Sequence, residues 1–413
     1  NIENFFGIEI DDFAVEVAIL SLWIAKHQMN SEFNDKFGVS IPLIPLKETG
    51  QIKHGNATRI DWNEVCPNDG GEIYLISNPP YVGSSMQTKE QKSEFKHVFG
   101  ARPFSANLDY ISLWFVKGAD YILGTRAQLA FVTTNSVAQG EHVSLMFPTI
   151  FSMGIEIGFA YTSFKWENNA KRNAGVTVAV ISLRNDSNAQ KYIFTGGLQI
   201  TANNINGYLA DAPSVIAGRQ MKPISLGLPP MAFGSKPTDG GHLVLEPDER
   251  SKLLDEYPEA ARFVKRYVGA ADYINDIERY CLWITDREVG AARAIPPIAD
   301  RLDRVAAWRL ESKAQSTVDF ASRPHRFKQV AYKPTDSIFV PRVSSERRSY
   351  IPMGYLDEGY VINDQAYAAY DAEPWVFALL TSAMHMSWTR AVAGQMETRL
   401  RYSNTIVYNN FPV

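Results

Sequence analysis

The stretch Glu72-Ile73-Tyr74-Leu75-Ile76-Ser77-Asn78-Pro79-Pro80-Tyr81 decides how the first half of the chain is read. A short apolar run closed by polar residues and paired prolines reads as a buried strand, Glu72 to Ile76, that stops at a rigid turn. Neighbouring segments fit around it. Phe5 to Ile10 reads as a strand, Asp11 or Asp12 caps a helix running to about Asn30, and a long helix is expected around Leu108 to Leu123. Leu129 to Thr134 is a further strand leading into Asn135-Ser136. Ile155 to Tyr161 and Val176 to Leu183 read as a closing antiparallel pair around Phe164-Lys165-Trp166. Strands alternating with helical-period segments are the signature of an open α/β sheet.

Beyond Asn185 the texture is punctuated by proline and glycine, with helices expected at Asp248 to Arg266 and Ile298 to Ala314, which implies a separate α+β domain. A Met- and Trp-rich helical stretch, Pro374 to about Glu397, follows. The expected division is residues 1–190, 191–355 and 356–413. A chain of 413 residues with 45% hydrophobic content is long enough for two or three cores. Its longest apolar stretch, Ala14 to Ala25, is broken by Glu16 and too short to cross a bilayer. No charged-then-apolar leader opens the chain, so a cytoplasmic protein without membrane contact is expected. Cys66 and Cys281 stand apart from each other and from any histidine cluster, so neither a disulfide framework nor a structural metal is expected.

The net charge of -4 argues against coating nucleic acid by bulk electrostatics. Its distribution is uneven. Arg304 to Arg348 holds ten Lys or Arg against four Asp or Glu, with Trp308, Phe320, Phe327, Tyr332 and Phe339 interleaved, whereas residues 1–190 hold fifteen basic and twenty acidic. A phosphate-facing surface is therefore expected in the second half.

Asn78-Pro79-Pro80-Tyr81, placed directly after a strand, is the most informative motif. These residue types suit an exocyclic amine on an aromatic base, a weak nucleophile because its lone pair is delocalised into the ring. The Asn78 side-chain oxygen and the Pro79 carbonyl can each accept one amino hydrogen. That favours a pyramidal nitrogen whose lone pair points at an incoming methyl group, and no general base is needed first. Pro79 and Pro80 fix the backbone carrying the acceptors, and Tyr81 offers a flat face to a base that has left the duplex. The plain structural reading of the same residues is a rigid turn with a surface aromatic.

The motif and its surroundings resemble class I, S-adenosylmethionine-dependent amino methyltransferases, and among them the single-chain MmeI-like (type IIL) restriction-modification enzymes. The likeness runs nearly end to end. Phe6-Gly7-Ile8-Glu9-Ile10-Asp11-Asp12 looks like the second-strand motif, which implies that Glu9 holds the ribose hydroxyls of the donor while Asp11 caps the following helix. His54-Gly55-Asn56-Ala57 with Ile60-Asp61-Trp62 is similar to the third-strand motif, which implies adenine contact by Asn56, with Asp61 as a second candidate and a plain turn as the alternative. Phe164 looks like the second aromatic against the flipped base; Trp166 could serve instead, and a core aromatic is equally open.

Pro229-Pro230-Met231-Ala232-Phe233-Gly234, Asp239-Gly240-Gly241-His242-Leu243, Pro341 to Arg348, Arg401-Tyr402-Ser403 and Tyr408-Asn409-Asn410-Phe411-Pro412 resemble that group's target-recognition segments. The resemblance implies a double-stranded DNA partner read through base edges and phosphates. Glu397 and Arg399 are the base-reading candidates, and Arg342, Arg347 and Arg348 are candidate phosphate or base contacts. For each of them a surface ion pair is the competing reading.

Two parts of that family are missing from the sequence. The Gly-rich loop after the first strand would precede Phe5, so the expected fold is a Rossmann-like methyltransferase sheet lacking its first strand, followed by an α+β target-recognition domain. Two open strand edges then follow, closed by rearrangement, by solvent or by a segment from another chain, together with an incomplete S-adenosylmethionine site of weak affinity. The nuclease is also expected outside this chain, because Glu311-Ser312-Lys313 lies in a helical segment without the strand such a site requires. The expected function is methylation of a flipped adenine in duplex DNA. The alternatives are a DNA-binding specificity fragment without catalysis and a protein glutamine-amide methyltransferase, which leaves the second half unexplained.

Overall fold

Backbone contacts divide the chain into two units, residues 1–216 and 217–413. The computed structural model describes residues 2–39, 51–166, 176–396 and 398–413. In the first unit β1 (Phe6–Glu9) and β2 (Gln51–His54) form a parallel pair, with α1 (Asp12–Phe37) between them in sequence. Asp11 starts this helix by accepting the Ala14 N–H at 3.0 Å. Its last residue is Phe37, seven residues past the expected Asn30 because no breaker intervenes, and the C-cap is Gly38, whose φ of 66° suits glycine. Phe13, Val17, Leu20 and Ile24 recur at helical spacing along α1 and are all exposed.

The larger sheet contains β3 (Tyr74–Ser77), β4 (Gln128–Thr134), β5 (Ile155–Lys165), β6 (Thr177–Asn185), β7 (Lys191–Thr195) and β8 (Leu198–Ala202), in the spatial order β3-β4-β6-β5-β7-β8. β3 and β4 are parallel, and β5 and β6 are the expected antiparallel pair. β3 departs from the expectation of a buried strand: Tyr74 is 65% and Ile76 83% exposed. The reason is positional. Among the described residues β3 is an edge strand with β4 as its one neighbour, and the β1–β2 pair is a separate sheet.

Among the described residues four further α-helices belong to the unit: α2 (Trp62–Val65), α3 (Lys89–Phe99), α4 (Ser112–Ile122) and α5 (Glu141–Phe151). Along β4, burial alternates so that Leu129, Phe131 and Thr133 face the core. Gly118 lets α4 approach closely, since a Cβ there would lie 2.5 Å from the Leu129 side chain. Residues 191–202, expected beyond the first domain, extend this sheet instead.

The second unit holds three sheets. Their strands are β9 (Met231–Phe233), β10 (Val244–Leu245), β11 (Val264–Val268), β12 (Tyr280–Leu282), β13 (Ser337–Pro341), β14 (Val343–Ser344), β15 (Gly354–Leu356), β16 (Tyr360–Ile362), β17 (Ala366–Tyr370), β18 (Gly394–Met396) and β19 (Arg399–Arg401). They are ordered β10-β12-β11-β16, β15-β13-β17-β9 and β14-β19-β18. Residues 356–413 supply strands to all three sheets, so they are not a separate element. The helix expected over Asp248 to Arg266 stops at Glu256 and gives way to β11, and the Pro374 stretch forms helices Pro374–Leu380 and Ala383–Val392 before turning into β18.

Part of the basic run is spent on structure or paired with carboxylates. Arg309 is fully buried on the helix Pro296–Leu310, and its guanidinium donates to the carbonyls of Thr238 (2.8 Å), Pro237 (2.8 Å), Arg323 (2.8 Å), Arg326 (2.8 Å) and Phe320 (3.4 Å). Arg304 pairs with Asp300, Arg326 with Asp286 and Lys333 with Asp371. The sequence count therefore overstates the charge available to phosphates. Replacing Arg309 by Met removes all five bonds; the carbonyls of Phe320, Arg323 and Pro237 keep backbone donors, whereas those of Thr238 and Arg326 lose the guanidinium that serves them. Urea unfolding followed by tryptophan fluorescence should show a loss of about 3–5 kcal/mol, and a loss under about 1 kcal/mol would contradict this role.

Candidate active site and nucleic-acid surface

In open α/β sheets, ligands bind beyond the carboxyl ends of parallel strands. Glu9 ends β1, Asn56 follows the end of β2, and Asn78 follows the end of β3. Asn78 is exposed, Pro79 is buried beneath it, and Tyr81 is half-buried. The Tyr81 hydroxyl donates to Oδ1 of Asn78. Burial raises the Tyr81 pKa, and this contact opposes the rise in part. The phenol therefore sits on the oxygen that the motif offers as an acceptor.

The donor-site candidates divide. Glu9 accepts the N–H groups of Ile10 (2.8 Å) and Asp11 (3.1 Å) through Oε1, which holds its carboxylate at the strand end. Asn56 is turned into its own loop: Oδ1 accepts from the Thr58 N–H (2.9 Å) and hydroxyl (2.8 Å), and Nδ2 donates to Glu94 (2.8 Å). Asp61 caps α2 by accepting the Asn63 N–H at 2.9 Å. Glu9 thus fits a ribose diol, whereas Asn56 retains one N–H for a ligand and Asp61 serves structure first. Among the described residues no group of His, Cys, Asp and Glu could hold a metal ion, and no helix is long and apolar enough to cross a membrane.

Sequence reading missed Glu94. It is 2% exposed and gathers Asn56, Arg59 (3.3 Å) and the Tyr110 hydroxyl. Burial and this carboxylate both push the Tyr110 pKa up. These partners lie 16 to 38 residues apart, so no local pattern announces them. Lys117 was missed too. Its ammonium donates to the carbonyls of Thr58 (3.0 Å) and Ile60 (2.5 Å) and lies 5.8 Å from the Trp62 ring centroid, beside a cavity of about 370 Å³.

Phe164 lies opposite Val178 on β5 and is 38% exposed, and the Trp166 N–H donates to the Val176 carbonyl at 2.9 Å. In the second unit, β19 pairs with β14, placing Val343 beside Arg401 and Ser344 beside Leu400. This pairing brings the Pro341 to Arg348 segment to the residues around 400, nearly sixty positions away. Leu400 is buried, whereas Arg399 and Arg401 are exposed on the opposite face. Arg401 was placed in a target-recognition segment from the sequence but not named as a contact, though strand alternation with Arg399 would have pointed to it. Arg347 is exposed and Arg348 half-buried in the turn after β14. Arg342 instead donates to the Asp364 carbonyl (3.0 Å) and lies over Phe233 at 5.0 Å. Glu397 lies outside the described residues.

Burial lowers the Lys117 pKa to about 8, with Asp61 and Asp120 opposing the shift, from an ordinary value of 10.5. Between pH 8 and 10.5 the unfolded chain therefore binds more protons than the folded chain, and stability rises with pH. Unfolding free energies measured from pH 8 to pH 10 should show the native chain gaining on Lys117→Met. A pH-independent difference would contradict the assignment.

Comparison with known proteins agrees with this layout. Residues 1–195 match the family model for the MmeI DNA-methyltransferase domain, and residues 211–413 match that for the MmeI target recognition domain. DNA methyltransferase A of Bacillus subtilis (strain 168) is 42% identical over 415 residues, covering 100% of this chain and 47% of the relative. The solved structure of the type IIL restriction-modification enzyme MmeI in complex with DNA is 39% identical, with a TM-score of 0.89 over 99% of this chain and 55% of that one. The chain thus spans about half the length of these relatives. From its two domain matches and the agreement of fold, this chain belongs to the MmeI family of DNA methyltransferases.

Proposed function

We propose that this chain carries the catalytic loop and the DNA-reading surface of an adenine-specific DNA methyltransferase of a restriction-modification system. The observation that carries the reading is Asn78-Pro79-Pro80-Tyr81 at the carboxyl end of β3, with the Asn78 amide exposed and Tyr81 in contact with it. The adenine amino group of a flipped nucleotide takes over Asn78 Oδ1 from the Tyr81 hydroxyl and gives its second hydrogen to the Pro79 carbonyl. The released phenol ring then lies against the base. Both acceptors raise electron density on nitrogen as positive charge develops there, which is the differential binding that lowers a barrier. S-adenosylmethionine supplies the electrophilic methyl group when bound, and Glu9 is the residue that would hold its ribose. Phe164 is the candidate second wall for the base.

The second unit reads the site. Arg399 and Arg401 on the exposed face of β19, with Arg347 and Arg348 in the adjoining turn, are proposed to meet base edges and phosphates; Glu397 and Arg342 complete the candidate set. A target recognition domain match over residues 211–413 disfavours glutamine-amide methylation, which has no use for it.

Tritium transfer from labelled S-adenosylmethionine should be assayed with the chain alone and supplemented by the part of the Bacillus relative that it does not match. Label in duplex DNA supports the proposal, label in protein supports the glutamine reading, and DNA binding without transfer marks a specificity fragment. Asn78→Ala should abolish transfer while DNA retention stays within about twofold; surviving transfer would remove Asn78 from its role. Arg401→Ala should cost about 1–3 kcal/mol in affinity for a specific duplex if it reads a base. Equal weakening on every sequence would assign it to phosphate.

A further inference from the structure

The segment leaving the motif is short and exposed: Gly83, Ser85 and Met86 all face solvent. Loops of this kind open easily unless they are tied down. Two ties are made by residues outside the motif. The Val82 carbonyl accepts the Tyr110 N–H at 2.9 Å and the Gln87 side-chain amide at 3.2 Å. The Ser84 N–H, three residues beyond Tyr81, donates to Oδ1 of Asp109 at 3.1 Å.

The second tie has a built-in support. The other carboxylate oxygen of Asp109 lies 3.2 Å from Nε2 of His142, in the first turn of α5, and both side chains are mostly covered, at 19% and 16% exposure. The His142 Nδ1 is buried without a partner, so Asp109 is the polar contact that fixes this imidazole. The Asp109 carbonyl also accepts the N–H (3.0 Å) and hydroxyl (2.7 Å) of Ser112, which joins Asp109 to the start of α4. A carboxylate gripped at both oxygens has one orientation, and its bond to a backbone amide is charge-assisted. Displacing Ser84 would move Tyr81 and the Asn78 amide on which it rests. A misplacement of about 1 Å at a reacting group can cost about 100-fold in rate.

We propose that Asp109 and His142 are positioning residues for the catalytic loop: Asp109 ties the Ser84 amide to the start of α4, and His142 on α5 holds the carboxylate in the orientation that accepts it. The catalytic consequence rests on the methyl-transfer reading above, whereas the tie itself does not.

The test pairs hydrogen exchange with kinetics in Asp109→Ala, Asp109→Asn and His142→Ala. Exchange of peptides spanning residues 82–87 should accelerate about tenfold in Asp109→Ala. Asn in place of Asp keeps an oxygen for Ser84 and should restore most of the protection, and His142→Ala should fall between. Peptides from α4 report whether the core has folded. In the transfer assay Asp109→Ala should lower kcat by about 10- to 100-fold and leave KM for duplex DNA within about twofold. Unchanged exchange of residues 82–87 with an intact core, or an effect confined to KM, would overturn the proposal. If the native protein transfers no methyl group, the methylation reading fails and the exchange comparison alone decides the tie.

Discussion

A lone pair delocalised into an aromatic ring becomes nucleophilic when both amine hydrogens are held in directions that pyramidalise the nitrogen, and the proposed role of the first unit depends on that constraint. Two acceptors must be rigid, close together and open to a base. A strand end followed by paired prolines meets the requirement with backbone geometry, because Pro79 and Pro80 cannot relax into a helix or accept another register. The side-chain acceptor is less constrained than the carbonyl, so its surroundings matter more. Tyr81 sits on Asn78, the exit of the loop is tied to Tyr110, Gln87 and Asp109, and α5 backs the last of these through His142. On the proposed tie, rigidity at the motif comes from α4 and α5, which pack in the main core of the unit.

What the sequence disclosed and what it hid follow from the range of the interactions. The Asn78 motif, the Asp11 cap, the alternation of β4 and the antiparallel pair β5–β6 are local patterns and could be read directly. The exposure of β3 was not legible, because an apolar run has the same composition at a sheet edge as at its centre. Nor was the Asn56 loop, whose side chain looked available for a ligand until Glu94, 38 residues away, closed on it. Charge counting failed for a related reason. It cannot tell an arginine that faces phosphate from Arg309, whose donors all end on backbone carbonyls inside the second unit.

In the second unit the scaffold is distinct from the proposed reading surface. Buried Arg309 and the aromatic contacts among Trp283, Phe327 and Tyr332 hold its interior, and their charge and polarity are consumed there. The small sheet β14-β19-β18 instead spends Leu400 on the core and leaves Arg399 and Arg401 outside. Alternate residues of a short strand can be changed on its exposed face without disturbing the packing beneath, which suits the reading role proposed for Arg399 and Arg401.

The amide of Asn78 and the carbonyl of Pro79 are proposed to activate the amino group of adenine. The most direct test of this role is mass-spectrometric nucleoside analysis of DNA from cells free of other methyltransferases that make the chain with the complementary part of the Bacillus relative. The account predicts N6-methyladenine with the native chain and none with Asn78→Ala. Methylated cytosine alone, or N6-methyladenine persisting in the Asn78 variant, would contradict it.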